Sequence, residues 1–122
     1  MLNPREKNIK MKTIFITGAT SGIGKATAET FAKQGHRLII CGRRKEVLEQ
    51  LQIELSNITE VYSLVFDVRN QEEVENAIHS LPEEWKNIDV LVNNAGNAHG
   101  LESISEGNIA DWDAMMDGNV KG

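Results

Sequence analysis

From Met11 onward the chain alternates between short apolar runs and longer segments in which apolar residues recur at helical spacing. The runs are T-I-F-I (13–16), R-L-I-I-C (37–41), V-Y-S-L-V-F (61–66) and I-D-V-L-V (88–92), each short enough for a buried strand. Between the first two, Ile23, Ala26, Thr27, Thr30 and Phe31 fall at i, i+3, i+4, i+7 and i+8, the stripe of an amphipathic helix. Leu48, Leu51 and Leu55 mark a second helix, and Val74, Ala77, Ile78 and Leu81 a third. Asn70 followed by Glu73 has the spacing of an N-cap and its N3 carboxylate, and Gly35 stands where the first helix should stop. After the fourth run, Ile109, Trp112, Met116 and Val120 mark a further amphipathic helix.

Strand, helix, strand repeated three times calls for parallel pairing through right-handed crossovers. The expected fold class is therefore α/β, a doubly wound parallel sheet with helices on both faces. Four strands make its first half only, with order 3-2-1-4, and the fourth run becomes an exposed apolar edge. On this reading the 122-residue chain by itself self-associates or is marginally stable. Residues 1–11 read as a polar tail, with Met11 an alternative start, and residues 12–122 as one domain.

Composition changes this picture little: 40% hydrophobic and 25% charged residues are ordinary globular usage. No run of about 18 apolar residues is present to span a membrane, and the first ten residues lack the apolar centre of a secretory signal. The single cysteine, Cys41, has no partner for an intramolecular disulfide, and His36, His79 and His99 lie too far apart in sequence for a zinc motif. A cytoplasmic protein without metal is the expectation. Charge is unevenly spread: residues 1–59 hold ten Lys/Arg against five Asp/Glu, residues 60–122 three against thirteen. This gradient points either to an anion site in the first half or to a chance imbalance across solvated faces. With 5% aromatic residues there is no support for a nucleic-acid surface.

The anion site has a candidate. T-G-A-T-S-G-I-G follows the first strand, with Gly18, Gly22 and Gly24 opening the first helix. Glycines at such a turn let the backbone approach a ligand, and the helix start offers unpaired N–H groups to a pyrophosphate. The spacing is G-x-x-x-G-x-G rather than the commoner dinucleotide G-x-G-x-x-G. Gly24-Lys25 resembles the end of a P-loop, but Ala19 and Ala26 replace its first glycine and its magnesium-binding hydroxyl, which argues against an NTPase. Lys25 either touches phosphate or solvates the helix.

The second strand ends Cys41-Gly42-Arg43-Arg44. In dinucleotide folds an acid here selects NAD through the ribose 2′-hydroxyl, and a base accommodates the 2′-phosphate of NADP. Gly42 stands where the acid would be and Arg43 follows, so NADP is favoured and NAD is the lesser candidate. The alternative, that Arg43 and Arg44 merely cap the second helix, conflicts with the helix dipole.

T-G-A-T-S-G-I-G, Asp67-Val68, N-N-A-G (93–96) and N-V-K-G (119–122), in this order and spacing, resemble the short-chain dehydrogenase/reductase family over residues 12–122. G-R-R, D-V-R-N and D-W-D-A-M-M-D look like its NADP-dependent 3-hydroxy acid branch, the serine and allo-threonine dehydrogenases. The resemblance implies a Rossmann-type domain in which Thr20, Ser21, Ile23 and the loop glycines hold the pyrophosphate. It implies that Asp67 bonds the adenine amino group with Val68 beside it, that Asn93, Ala95 and Gly96 brace the fourth strand and line the cofactor, and that Asn119 is a catalytic asparagine. It further implies a small hydroxy acid as substrate and a homo-oligomeric assembly. The lesser alternative for Asn93 and Asn94 is a strand-ending Asx turn, and His99 and Gly100 read as an ordinary loop ahead of substrate contacts.

The family's serine and Y-x-x-x-K pair, its proton donor, have no counterpart here: the one tyrosine, Tyr62, lies in the third apolar run. These residues alone are therefore expected not to catalyse, and a non-catalytic dinucleotide-binding or interaction module is the competing reading.

Overall fold

Thr13–Thr17 forms β1, Arg37–Gly42 β2, Val61–Val65 β3 and Val90–Asn93 β4. They alternate with helices α1 (Gly22–Lys33), α2 (Lys45–Ser56) and α3 (Gln71–His79), and a 3-10 turn at Glu83–Trp85 precedes β4. This computed structural model describes residues 11–94. All strand pairs are parallel and the order is β3-β2-β1-β4, as the periodicity predicts. Register runs Thr13↔Arg37 between β1 and β2, Leu38↔Val61 between β2 and β3, and Ile14↔Val90 between β1 and β4.

Side chains alternate across the sheet and make two cores. On one face Ile14, Ile16, Leu38, Ile40, Val90 and Val92 pack against Ala28 and Ala32 of α1 and Leu48, Leu51 and Leu55 of α2. On the other, Phe15, Ile39, Cys41, Leu64, Phe66 and Leu91 pack against Val74 of α3, Leu81, Trp85 and Ile88. β1 and β2, buried on both faces, carry continuous apolar runs, which is why those runs read so clearly, whereas β3 at the sheet edge buries only Leu64 and leaves Val65 exposed.

Four details depart from the sequence pattern. In α1 the buried residues are Gly24, Ala28 and Ala32, whereas Ile23, Ala26 and Thr30 face solvent. The helix lies close to the sheet, so the inward stripe needs small residues, and the Thr27 and Thr30 hydroxyls donate to the carbonyls of Ile23 and Ala26 (2.8 and 2.9 Å). The third strand ends at Val65 rather than Phe66, although the Phe66 N–H still reaches the Gly42 carbonyl at 3.0 Å. β4 begins at Val90, not Ile88, because Asp89 turns its carboxylate onto the Thr13 N–H (2.9 Å). The third helix stops at His79, two residues short of Leu81.

Both predicted helix signals hold. Asn70 accepts from the Glu73 N–H at 3.1 Å and caps α3. Gly35, at φ +89°, follows α1, with the His36 N–H reaching the Phe31 carbonyl (3.2 Å) and the Gly35 N–H that of Ala32 (2.9 Å). Those two bonds satisfy carbonyls that the helix end leaves free. At the amino ends of the strands, the Arg37 guanidinium lies 4.0 Å over the Trp85 ring and donates to the Glu84 carbonyl (2.7 Å). Of the expected tail, residues 1–10 lie outside the described residues, as does the helix marked by Ile109, Trp112, Met116 and Val120.

Candidate functional site

The turn from β1 into α1 is wound around one carbonyl. Gly18 sits at φ +60°, a conformation suited to glycine, and its oxygen accepts from the Ser21 N–H (3.2 Å) and the Ser21 hydroxyl (2.8 Å). Ser21 in turn accepts from the Gly24 N–H at 3.0 Å, so it is the N-cap of α1. A Cβ at Gly24 would overlap the Gly18 carbonyl, whereas one at Gly22 would meet open space. The Ala19 N–H donates to the Cys41 carbonyl (3.1 Å), fixing the loop against β2. The Gly22 and Ile23 amides have no acceptor within the helix, and they stand at its positive end.

Beside this loop, at the carboxyl ends of β1, β2 and β3, opens a cleft of about 420 Å³. Gly18, Thr20 and Ser21 form one wall, Gly42, Arg43 and Arg44 the second, and Phe66, Asp67, Val68 and Arg69 the third. The volume is within the range of small-molecule sites. Three arginines against one aspartate make it cationic. Arg44 is also the N-cap residue of α2 but makes no side-chain cap bond, so it is not spent on the helix. A Cβ at Gly42 would touch Thr20 Cγ2 at 3.4 Å and Leu48 Cδ1 at 3.6 Å, ordinary contacts, so a Cβ fits there without displacing either neighbour.

Asp67 is the anionic exception. Its carboxylate accepts from the Arg69 backbone N–H (3.0 Å), Nε (3.1 Å) and Nη2 (2.9 Å). These bonds, with the Arg69 charge and the more distant charge of Arg43 at 3.9 Å, lower its pKa to about 2 and raise that of Arg69. Arg69 was not singled out by the sequence motifs; its spacing from Asp67, an Asx-turn acid followed two residues later by a fork-shaped base, is the signal that marks it.

The remaining expected residues fall elsewhere. The Ile23 side chain is exposed on the first turn of α1 and does not line the cleft, which leaves only its backbone amide near the loop. Lys25 points at Glu54 of α2 (3.9 Å), which favours the solvated reading of that residue. Asn93, at the end of β4, accepts from the Thr17 hydroxyl at 2.7 Å. Asn94 donates to Thr17 through its backbone N–H (3.1 Å) and its amide (3.3 Å). The two asparagines thus tie the end of β4 to the end of β1, beside the glycine loop. Ala95, Gly96, Asn119, His99 and Gly100 lie outside the described residues. Among the described residues no group of three or more His, Cys, Asp or Glu is placed to hold a metal, and no helix is long and apolar enough to cross a membrane.

A dinucleotide fits this arrangement on its chemistry: amides at a helix start with no acceptor in the helix for a pyrophosphate, and arginines beside a position that lacks an acid. The family model for short chain dehydrogenases matches residues 12–122. The chain belongs to the short-chain dehydrogenase family.

Its relatives in that family include an NADP-dependent 3-hydroxy acid dehydrogenase of Escherichia coli, 46% identical over 109 residues, which are 89% of this chain and 43% of that protein. Serine 3-dehydrogenase of Rhizobium radiobacter is 44% identical over 110 residues, 90% of this chain and 43% of that one. Among solved short-chain dehydrogenases, the closed form of serine dehydrogenase complexed with NADP+ superposes with a TM-score of 0.61 at 46% identity, covering 69% of this chain and 33% of that one. The chain spans less than half the length of the curated relatives it matches.

Proposed function

We propose that this chain is the cofactor-binding amino-terminal part of an NADP-dependent short-chain oxidoreductase that moves hydride between NADP(H) and a small 3-hydroxy acid or its semialdehyde. The observation that carries the reading is the cationic cleft, with Gly42 in place of an acid and Arg43 and Arg44 beside it. The names of the relatives, an NADP-dependent 3-hydroxy acid dehydrogenase and a serine 3-dehydrogenase, support the choice of cofactor and substrate class.

In this proposal the Gly22 and Ile23 amides and the Thr20 hydroxyl receive the pyrophosphate, Ser21 holds the turn that presents them through its bonds to Gly18 and Gly24, and Arg43, aided by Arg44, receives the 2′-phosphate. Asp67 and Val68 receive the adenine. Asn93, Ala95 and Gly96 line the path toward the nicotinamide, which supplies or accepts hydride, and Asn119 serves the reacting centre. Tyr62 packs on Trp85, ring centroids 5.6 Å apart, among the core residues, so the proton donor is not found among the described residues. The whole enzyme is proposed to be a cytoplasmic homo-oligomer.

Titrating the protein with NADPH and NADH tests this. NADPH binds more tightly, and Arg43→Ala weakens NADPH alone by about 10- to 100-fold, the worth of a charged hydrogen bond or two. Gly42→Asp moves the preference toward NADH, by adding a ribose acceptor and repelling the 2′-phosphate. Equal affinities in the unaltered protein would overturn the assignment.

A further inference from the structure

Asp67 is fixed from every side. Its N–H donates to Glu73 Oε1 (3.1 Å), its carbonyl accepts from the Asn70 N–H (2.9 Å), and its carboxylate is held by Arg69. Counting acceptor places gives this grip a direction. Oδ1 takes both the Arg69 backbone N–H and Nε, which uses its two lone pairs. Among the described residues Oδ2 takes only Nη2, so one place is left on Oδ2. Arg43 approaches that oxygen from the opposite wall of the cleft, but at 3.9 Å it is beyond hydrogen-bonding distance. The turn therefore presents the cleft with one anionic acceptor in a fixed orientation, between the apolar Phe66 and Val68.

Such a group welcomes an N–H donor and repels a carbonyl oxygen. Resting on the reading of the cleft as a nucleotide site, we propose that Arg69 is a positioning residue that, by forking onto Asp67, makes the site prefer a base with an exocyclic amino group over one with a keto group. Adenine is thus taken and hypoxanthine rejected. A lysine at 69 keeps the charge but cannot span both oxygens. An apolar residue leaves the carboxylate free to rotate and to pair with Arg43.

The experiment compares affinities of the full chain for NADPH and for its hypoxanthine analogue, in the unaltered protein, Arg69→Leu, Arg69→Lys and Asp67→Asn, with melting temperature followed in parallel. The unaltered protein favours NADPH by about 10-fold or more. Arg69→Leu brings the ratio toward one, Arg69→Lys restores part of it, and Asp67→Asn, whose amide can also donate, abolishes or inverts it. A merely structural arginine would weaken both nucleotides alike and leave the ratio in place, which would overturn the proposal, as would a ratio near one in the unaltered protein. If the unaltered protein binds neither nucleotide, the reading of the cleft itself fails.

Discussion

Two buried side chains give predictions at the scale of single residues. His36 Nδ1 accepts from the Lys12 N–H at 3.0 Å, so the imidazole is neutral, and burial first and the Lys12 charge second hold its pKa below the usual 6.5, with Asp89 opposing. Its other neighbour, the Phe31 ring, packs edge-on and adds no charge. Because the folded pKa lies below the unfolded one, stability from this group is complete above about pH 6.5 and falls as pH drops through that value and on toward the folded pKa. Urea midpoints at pH 7.5 and 5.5 check it: the protein loses more over this interval than His36→Gln, and equal losses would refute the assignment. Cys41 lies wholly within the core, and burial pushes its thiol pKa well up. It is expected to ignore an aromatic disulfide reagent until urea unfolds the chain; prompt labelling of native protein would contradict this. That Gly18, Arg43 and Asp67 share one cleft was legible in the sequence because each belongs to a short motif. Arg69 was not singled out, because its two-residue spacing from Asp67 gains a meaning only once the turn brings the guanidinium onto the carboxylate.

At the scale of elements, strands read almost to the residue and helix faces less well. β1 and β2 differ from their apolar runs by one residue, since a strand buried on both faces has no polar interruptions to misplace its ends. In α1 the hydropathy pattern selects the large residues, but the closeness of helix to strand selects Gly24, Ala28 and Ala32. The two helix-start glycines then behave differently. Gly24→Ala drives a methyl into the Gly18 carbonyl and costs about 1–3 kcal/mol, or more if the loop cannot shift. Gly22→Ala meets open space and is close to neutral for folding. Denaturant unfolding of the two variants side by side tests the distinction, and similar destabilisation would show that the close approach is not what Gly24 provides.

For the molecule as a whole, the order 3-2-1-4 was predictable because three crossovers of one hand allow few alternatives. The tie at the far end of the sheet, Arg37 on Trp85 and the Glu84 carbonyl, was not, since those residues are neighbours only once β2 and the 3-10 turn are placed. The same registers hold a history of assembly. Thr13 meets Arg37 and Leu38 meets Val61, short separations along the chain, but Ile14 meets Val90 across 76 residues. Closing that span from a free coil costs about 1 kcal/mol more than closing one a third as long, a penalty that vanishes once β3 is in place and only residues 66–89 remain slack. β4 is thus the last strand to arrive, and in refolding followed by pulsed hydrogen exchange the amides of Leu91 and Val92 gain protection after those of Ile39 and Ile40; simultaneous protection would exclude this order. Two walls of the cleft, Gly18 to Ser21 and Gly42 to Arg44, come from the part that forms first. On the proposed function, a nucleotide can then grip the chain before its sheet is finished and serve the newborn protein as a template for its own folding.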